Sequence, residues 1–232
     1  MLSQKPWRAE AVIQLVAGVF GCVCLGVLLV AGLRQAGVAA FKSADAFAPV
    51  LVATMSFQGA ACGLMILFLW FHRVSWRDAL GLRHPGLMRA LLLGLGVLVV
   101  AFPIVLFLKQ LSAAGLERLG WHPEDQLAVD LLVNSNLFWM RAYLVVFAVV
   151  LAPLGEEFIF RGVLFPFLKQ LGWPRLAWLG VSLLFALIHV NLPTLLPLFV
   201  LALVLTWLYD RTDRLLVPVV AHSLFNSANL VV

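Results

Sequence analysis

The sequence predicts an all-α protein, a polytopic bundle of about seven transmembrane helices with room for an eighth. Three observations predict it. Of 232 residues, 63% are hydrophobic and only 12% charged, with a mean hydropathy of +1.04. Apolar runs of about 20 residues recur, and each can cross a hydrocarbon layer about 30 Å thick. Most Lys and Arg residues fall in short segments between those runs, where they orient helices. Too little polar sequence remains for a soluble domain, so residues 1–232 read as a single membrane-embedded domain. The formal charge of +5, distributed in this way, argues for the lipid bilayer as partner and against nucleic acid.

The expected spans are 11–32, 47–71, 87–108, 143–168, 173–190, 192–208 and 215–232. The first is too long for the core of a signal peptide and reads as a retained span. Arg73, Arg77, Arg83 and Arg89 form the densest basic stretch. An acidic polar stretch follows from Lys109 to Asn136, within which 127–139 can form an interfacial helix. With the N-terminus inside, the basic segments near 73–89, Lys169/Arg175 and Arg211/Arg214 are cytoplasmic, and the acidic stretch and the turn at Asn191 lie outside. Pro193 suits a tight hairpin between the fifth and sixth spans. Trp70, Trp76, Trp139, Trp173 and Trp207 fall at span ends, as interfacial anchors do. Cys22, Cys24 and Cys62 have no metal-ligand spacing and read as buried, inert thiols. His72, His84 and His122 read as loop or span-end residues.

Glu156 and Glu157 stand out. Between Tyr143 and Leu168 the only other charge is Arg161. An ionisable residue at the bilayer centre costs about 2.5–3.5 kcal/mol on insertion scales and marks a site inside a bundle. Glu157 and Arg161 are spaced i, i+4, so they can pair on one face. Glu156 points about 100° away with no evident local partner, which suits a general base. The plain alternative is a structural ion pair beside a protonated glutamate. At about 1.5 Å rise per residue, Glu156 lies roughly 20 Å from the Lys169 end of its span, and His189 roughly 21 Å from Arg175 in the next. His222 and Asn226 lie roughly 12 and 18 Å above Arg214 in the last span. Three spans thus place polar groups in one layer. His189 can share a proton with a carboxylate or hold a metal. His222 and Asn226, at i and i+4, can form an oxyanion hole, or simply glue helices together. Phe158, Phe160, Phe165 and Phe167 read as packing residues that can also line a route for an apolar substrate.

Glu-Glu-x-x-x-Arg (156–161), Phe-x-x-x-His (185–189) and His-x-x-x-Asn (222–226), in that order, resemble the three motifs of the CPBP intramembrane proteases, the CAAX-protease and bacteriocin-processing (Abi) family. Phe160-Arg-Gly162, Leu216-Val-Pro-Val-Val-Ala-His222 and Leu80-Gly-Leu82 add to the resemblance. It covers about 143–232, the expected catalytic core. The resemblance implies a membrane-embedded endopeptidase, similar to type II CAAX prenyl endopeptidases, acting on a membrane-associated peptide or protein that is prenylated in the eukaryotic branch. It implies that Glu156 activates water with His189, that His222 and Asn226 stabilise the oxyanion, and that Glu157 and Arg161 support the site. A metal-free mechanism is favoured. The alternative is a zinc peptidase with Glu156, His189 and His222 as ligands. Other readings are a proton-coupled transporter, against which no internal repeat is found, and a non-catalytic scaffold or immunity protein. The expected location is an integral, multi-pass one, in the plasma (inner) membrane for a prokaryotic source.

Overall fold

The computed structural model describes residues 2–42, 47–82, 86–121, 132 and 138–230. His84, His122, the acidic residues Glu124, Asp125 and Asp130, and the expected interfacial helix up to residue 137, apart from Leu132, lie outside them. Among the described residues the chain is all-α, in eight helices: α1 Ala9–Gln35, α2 Phe47–Phe71, α3 Trp76–Ala79, α4 Leu87–Arg118, α5 Phe138–Gln170, α6 Pro174–Leu187, α7 Leu192–Thr212 and α8 Leu216–Asn229.

Five of these, α1, α2, α4, α5 and α7, are long and apolar enough to cross a membrane, and the protein reads as an integral, multi-pass membrane protein. The expected seven spans are not shown among the described residues. The fifth, expected over 173–190, is the 14-residue α6, and the seventh, over 215–232, is the 14-residue α8. At about 1.5 Å per residue neither reaches the thickness of the hydrocarbon layer. The third span is also revised. Instead of ending at Leu108, α4 continues ten residues to Arg118, because Lys109, Gln110, Leu111, Glu117 and Arg118 are good helix formers and no proline lies between Pro103 and Arg118.

α5 is the central helix. It packs against α2, α6 and α8, while α4 covers α7 and α8, and α1 leans on α2. One apolar core joins α1, α2, α5, α6 and α7 around Phe158, Val163, Val181 and Phe185, and a second joins α4, α7 and α8 around Leu205, Leu208 and Val217. Outward faces carry Phe20, Leu28, Trp70, Val99, Phe107 and Leu184, as expected of surfaces solvated by lipid. Cys24 lies on such an exposed face, correcting its expected burial; Cys22 and Cys62 are half-buried.

α5 is not a regular helix. π-helical turns at Phe147–Leu151 and Phe158–Leu164 precede Pro153 and Pro166. A proline inside a helix has no N–H and its ring crowds the carbonyl four residues back, and a widened turn relieves both. Pro166 cannot donate to the Gly162 carbonyl, and the Trp7 indole N–H does so instead at 2.7 Å. The segment before α1 is tied down further. Arg8 N–H donates to His72 Nε2, and Lys5 and the Ser3 N–H bind Asp213. His72, expected as a plain span-end residue, packs against the Trp7 and Phe68 rings. Lys169 pairs with Asp210. These contacts gather the ends of α2, α5 and α7 and the start of the chain at one end of the bundle, as the expected orientation requires.

Candidate active site

A cavity of about 370 Å³ opens beside α5. Glu156, His189, His222 and Asn226 all line it, although they come from α5, the α6–α7 link and α8. The agreement in depth estimated from the sequence thus corresponds to a shared chamber. Its apolar wall comes from Val105, Leu106, Leu144, Phe147 and Phe225. Phe158, Phe160 and Phe165 are buried in the core and Phe167 packs against it, as expected of packing residues, and none of the four lines the cavity.

Glu157 has no solvent exposure. Its Oε1 accepts from Arg161 Nη1 at 2.8 Å and from His222 Nδ1 at 2.8 Å. Arg161 also donates through Nε to Thr206 Oγ1 and through Nη2 to the Ala202 carbonyl, and its guanidinium lies 4.6 Å from the Phe185 ring centre. Three helices thereby fix one guanidinium, which fixes one carboxylate, which fixes the His222 ring. With Nδ1–H given to Glu157, the His222 edge that remains is Nε2. Thr206 has no charge or motif to mark it in the sequence. Only its position one turn beyond Ala202 makes it a partner, and Ala202 O accepts its hydroxyl as well.

Glu156 is 5% exposed, and its carboxylate does have a partner. Gln58 Nε2 of α2 donates to Oε1 at 3.3 Å. The signal for Gln58 was present as a carboxamide inside an apolar span, a costly placement without a purpose. Lys109, expected at the start of a loop, also lines the cavity from α4.

His189 follows the last residue of α6 and donates from Nδ1 to the Phe185 carbonyl at 2.7 Å, which leaves Nε2 as an acceptor. The hairpin expected at Pro193 is a four-residue link in which Val190 adopts φ +47. Asn191 Oδ1 caps α7 by accepting from the Thr194 N–H. The Phe185 ring lies between the two imidazoles, 4.9 Å from His189 and 5.8 Å from His222, centre to centre. Asn226 Nδ2 donates to the Ala148 carbonyl at 2.8 Å. In a π turn that carbonyl faces the nitrogen of residue 153, and Pro153 has no hydrogen. Asn226 therefore serves the distorted backbone of α5 with one amide hydrogen and retains the other.

Among the described residues no group of three or more His, Cys, Asp and Glu side chains is arranged to hold a metal ion. Glu156, His189 and His222 line one cavity without forming such a set.

Residues 138–228 match the family model described as type II CAAX prenyl endopeptidase Rce1-like. That match covers less than half of the chain and shows a similarity to the family. Among curated proteins, the chain is 32% identical over 78 residues to the "UPF0177 protein YxdF" of Lactococcus lactis, covering 33% of this chain and 42% of the relative. A second, of Bacillus subtilis, carries the name "Putative membrane peptidase YdiL" and is 31% identical over 84 residues, 36% of this chain and 34% of the relative. The chain thus matches less than half the length of either. No solved structure matches it.

Proposed function

We propose that the protein is an intramembrane endopeptidase that hydrolyses a peptide bond of a membrane-associated peptide or protein. The observation that carries the reading is the single cavity lined by Glu156, His189, His222 and Asn226, within a region similar to the Rce1-like family. Glu156 takes a proton from a water whose second hydrogen is held by His189 Nε2. The hydroxide adds to the scissile carbonyl. The oxyanion is met by the free Asn226 N–H and by Nε2–H of a protonated His222, and Glu156 then delivers its proton to the departing amine.

Glu156, Glu157, Arg161 and His222 are all buried, and Glu157 Oε1 accepts from both Arg161 and His222. Buried charges are tolerated when they are paired and hydrogen-bonded. The apolar wall suits a substrate with a greasy segment, and the long apolar helices support a reaction within the lipid layer, in the cell membrane for a prokaryotic source. The test is hydrolysis of apolar peptides by purified protein in detergent, comparing wild type with Glu156→Gln. Full activity of the variant would remove Glu156 as base and the proposal with it.

A further inference from the structure

The cavity is completed from outside the family-matched region. α2 contains a π-helical turn at Met55–Gly59. The two widened turns of α5 each precede a proline, but no proline follows this one, so covalent structure does not require it. π turns of this kind are frequent at functional sites, because the extra residue re-aims a side chain. Here the re-aimed side chain is Gln58, which lines the cavity and donates to Glu156.

The turn is also seated on both sides. On α1, a Cβ added at Gly26 would lie 2.0 Å from Ser56 Oγ, so only glycine admits the bulge there. On α5, a Cβ at Gly155 would lie 3.2 Å from Ala61 Cβ and 3.6 Å from the Gln58 carbonyl. Ser56 Oγ donates to the Val52 carbonyl inside the widened stretch. Two close approaches by neighbouring helices thus hold one amide against one carboxylate.

We propose that Gln58 is a positioning residue for the general base. It binds Oε1 of Glu156, fixes the carboxyl rotamer and leaves Oε2 for the reacting water. The proposal rests on the peptidase reading. Its test uses the full chain in detergent, a pool of quenched-fluorescent apolar peptides, and the variants Gln58→Met, Gln58→Glu and Glu156→Gln. Met keeps the length of Gln58 without a donor, and Glu keeps the shape but presents an acceptor. In both Gln58 variants kcat should fall about ten- to a hundredfold, the usual penalty for a loosened reacting group, with KM within about twofold and the unfolding temperature unchanged. The infrared carboxyl band of Glu156, isolated by difference against Glu156→Gln, should move in Gln58→Met. Wild-type kcat in Gln58→Met, or an unmoved band, overturns the role of Gln58. An active Glu156→Gln protein instead overturns the peptidase reading itself.

Discussion

Glu157 Oε1 lies 2.8 Å from His222 Nδ1, and Arg161 approaches the same oxygen at 2.8 Å. One oxygen of the second carboxylate is therefore shared between two side chains. It links a buried cation to an imidazole on another helix and fixes which edge of that imidazole meets the cavity.

Glu156→Gln keeps the size of the side chain and the contact with α2 but removes the base. Peptide hydrolysis should fall about 10²–10⁴-fold with little change in unfolding temperature. Steady-state kinetics on purified variant and wild type checks this, alongside a thermal melt in detergent.

Arg161→Ala should act through stability. It strips Glu157 of its guanidinium partner at zero exposure, and breaking a buried pair from one side costs about 3–5 kcal/mol. A marked loss of thermal stability in detergent is expected, with activity lost alongside it. An unfolding temperature equal to that of wild type would contradict the central role given to this pair.

Trp7→Phe keeps the ring beside Phe68 but removes the N–H that serves the Gly162 carbonyl. The expected cost is about 0.5–1.5 kcal/mol, the worth of one hydrogen bond. The loss should show in thermal unfolding and leave KM unchanged.

Gly26→Ala places a methyl group against Ser56, and overpacking of this kind costs about 1–3 kcal/mol. Adding Ser56→Gly should recover part of the loss. A double variant no more stable than Gly26→Ala would show that the two helices do not meet at this point.

The pairing of Asp213 with the start of the chain gives a pH dependence. Burial alone would raise the Asp213 carboxyl, but hydrogen bonds from Lys5 and Ser3 and the Lys5 charge outweigh it and hold the pKa below its usual 3.8. A carboxyl depressed on folding stabilises the fold fully above the unfolded pKa, about 3.9, and loses that contribution as pH falls through the lower folded value. Wild type and Asp213→Asn should therefore differ in unfolding temperature near neutral pH and converge in strong acid.

The amino-acid sequence alone determined the helical, membrane-embedded class of the protein and singled out the polar groups that the fold buries together. Apolar runs can only be helices in lipid, because every backbone polar group must be satisfied within its own segment. Charges placed inside those runs identified Glu156, Glu157 and Arg161, and the i, i+4 rule foretold the pair between the last two. Tertiary structure decided everything that depends on which residue faces which helix. Glu157 rather than solvent holds His222, Asn226 serves a carbonyl loosened by Pro153, Gln58 reaches Glu156 from a span with no motif, and α6 and α8 stop at 14 residues each. The physical reason is that π turns shift the angular register of a helix by a whole residue. In α2 spacing along the chain cannot reveal such a shift, because there no proline requires it and the turn is seated against Gly26 and Gly155 on other helices.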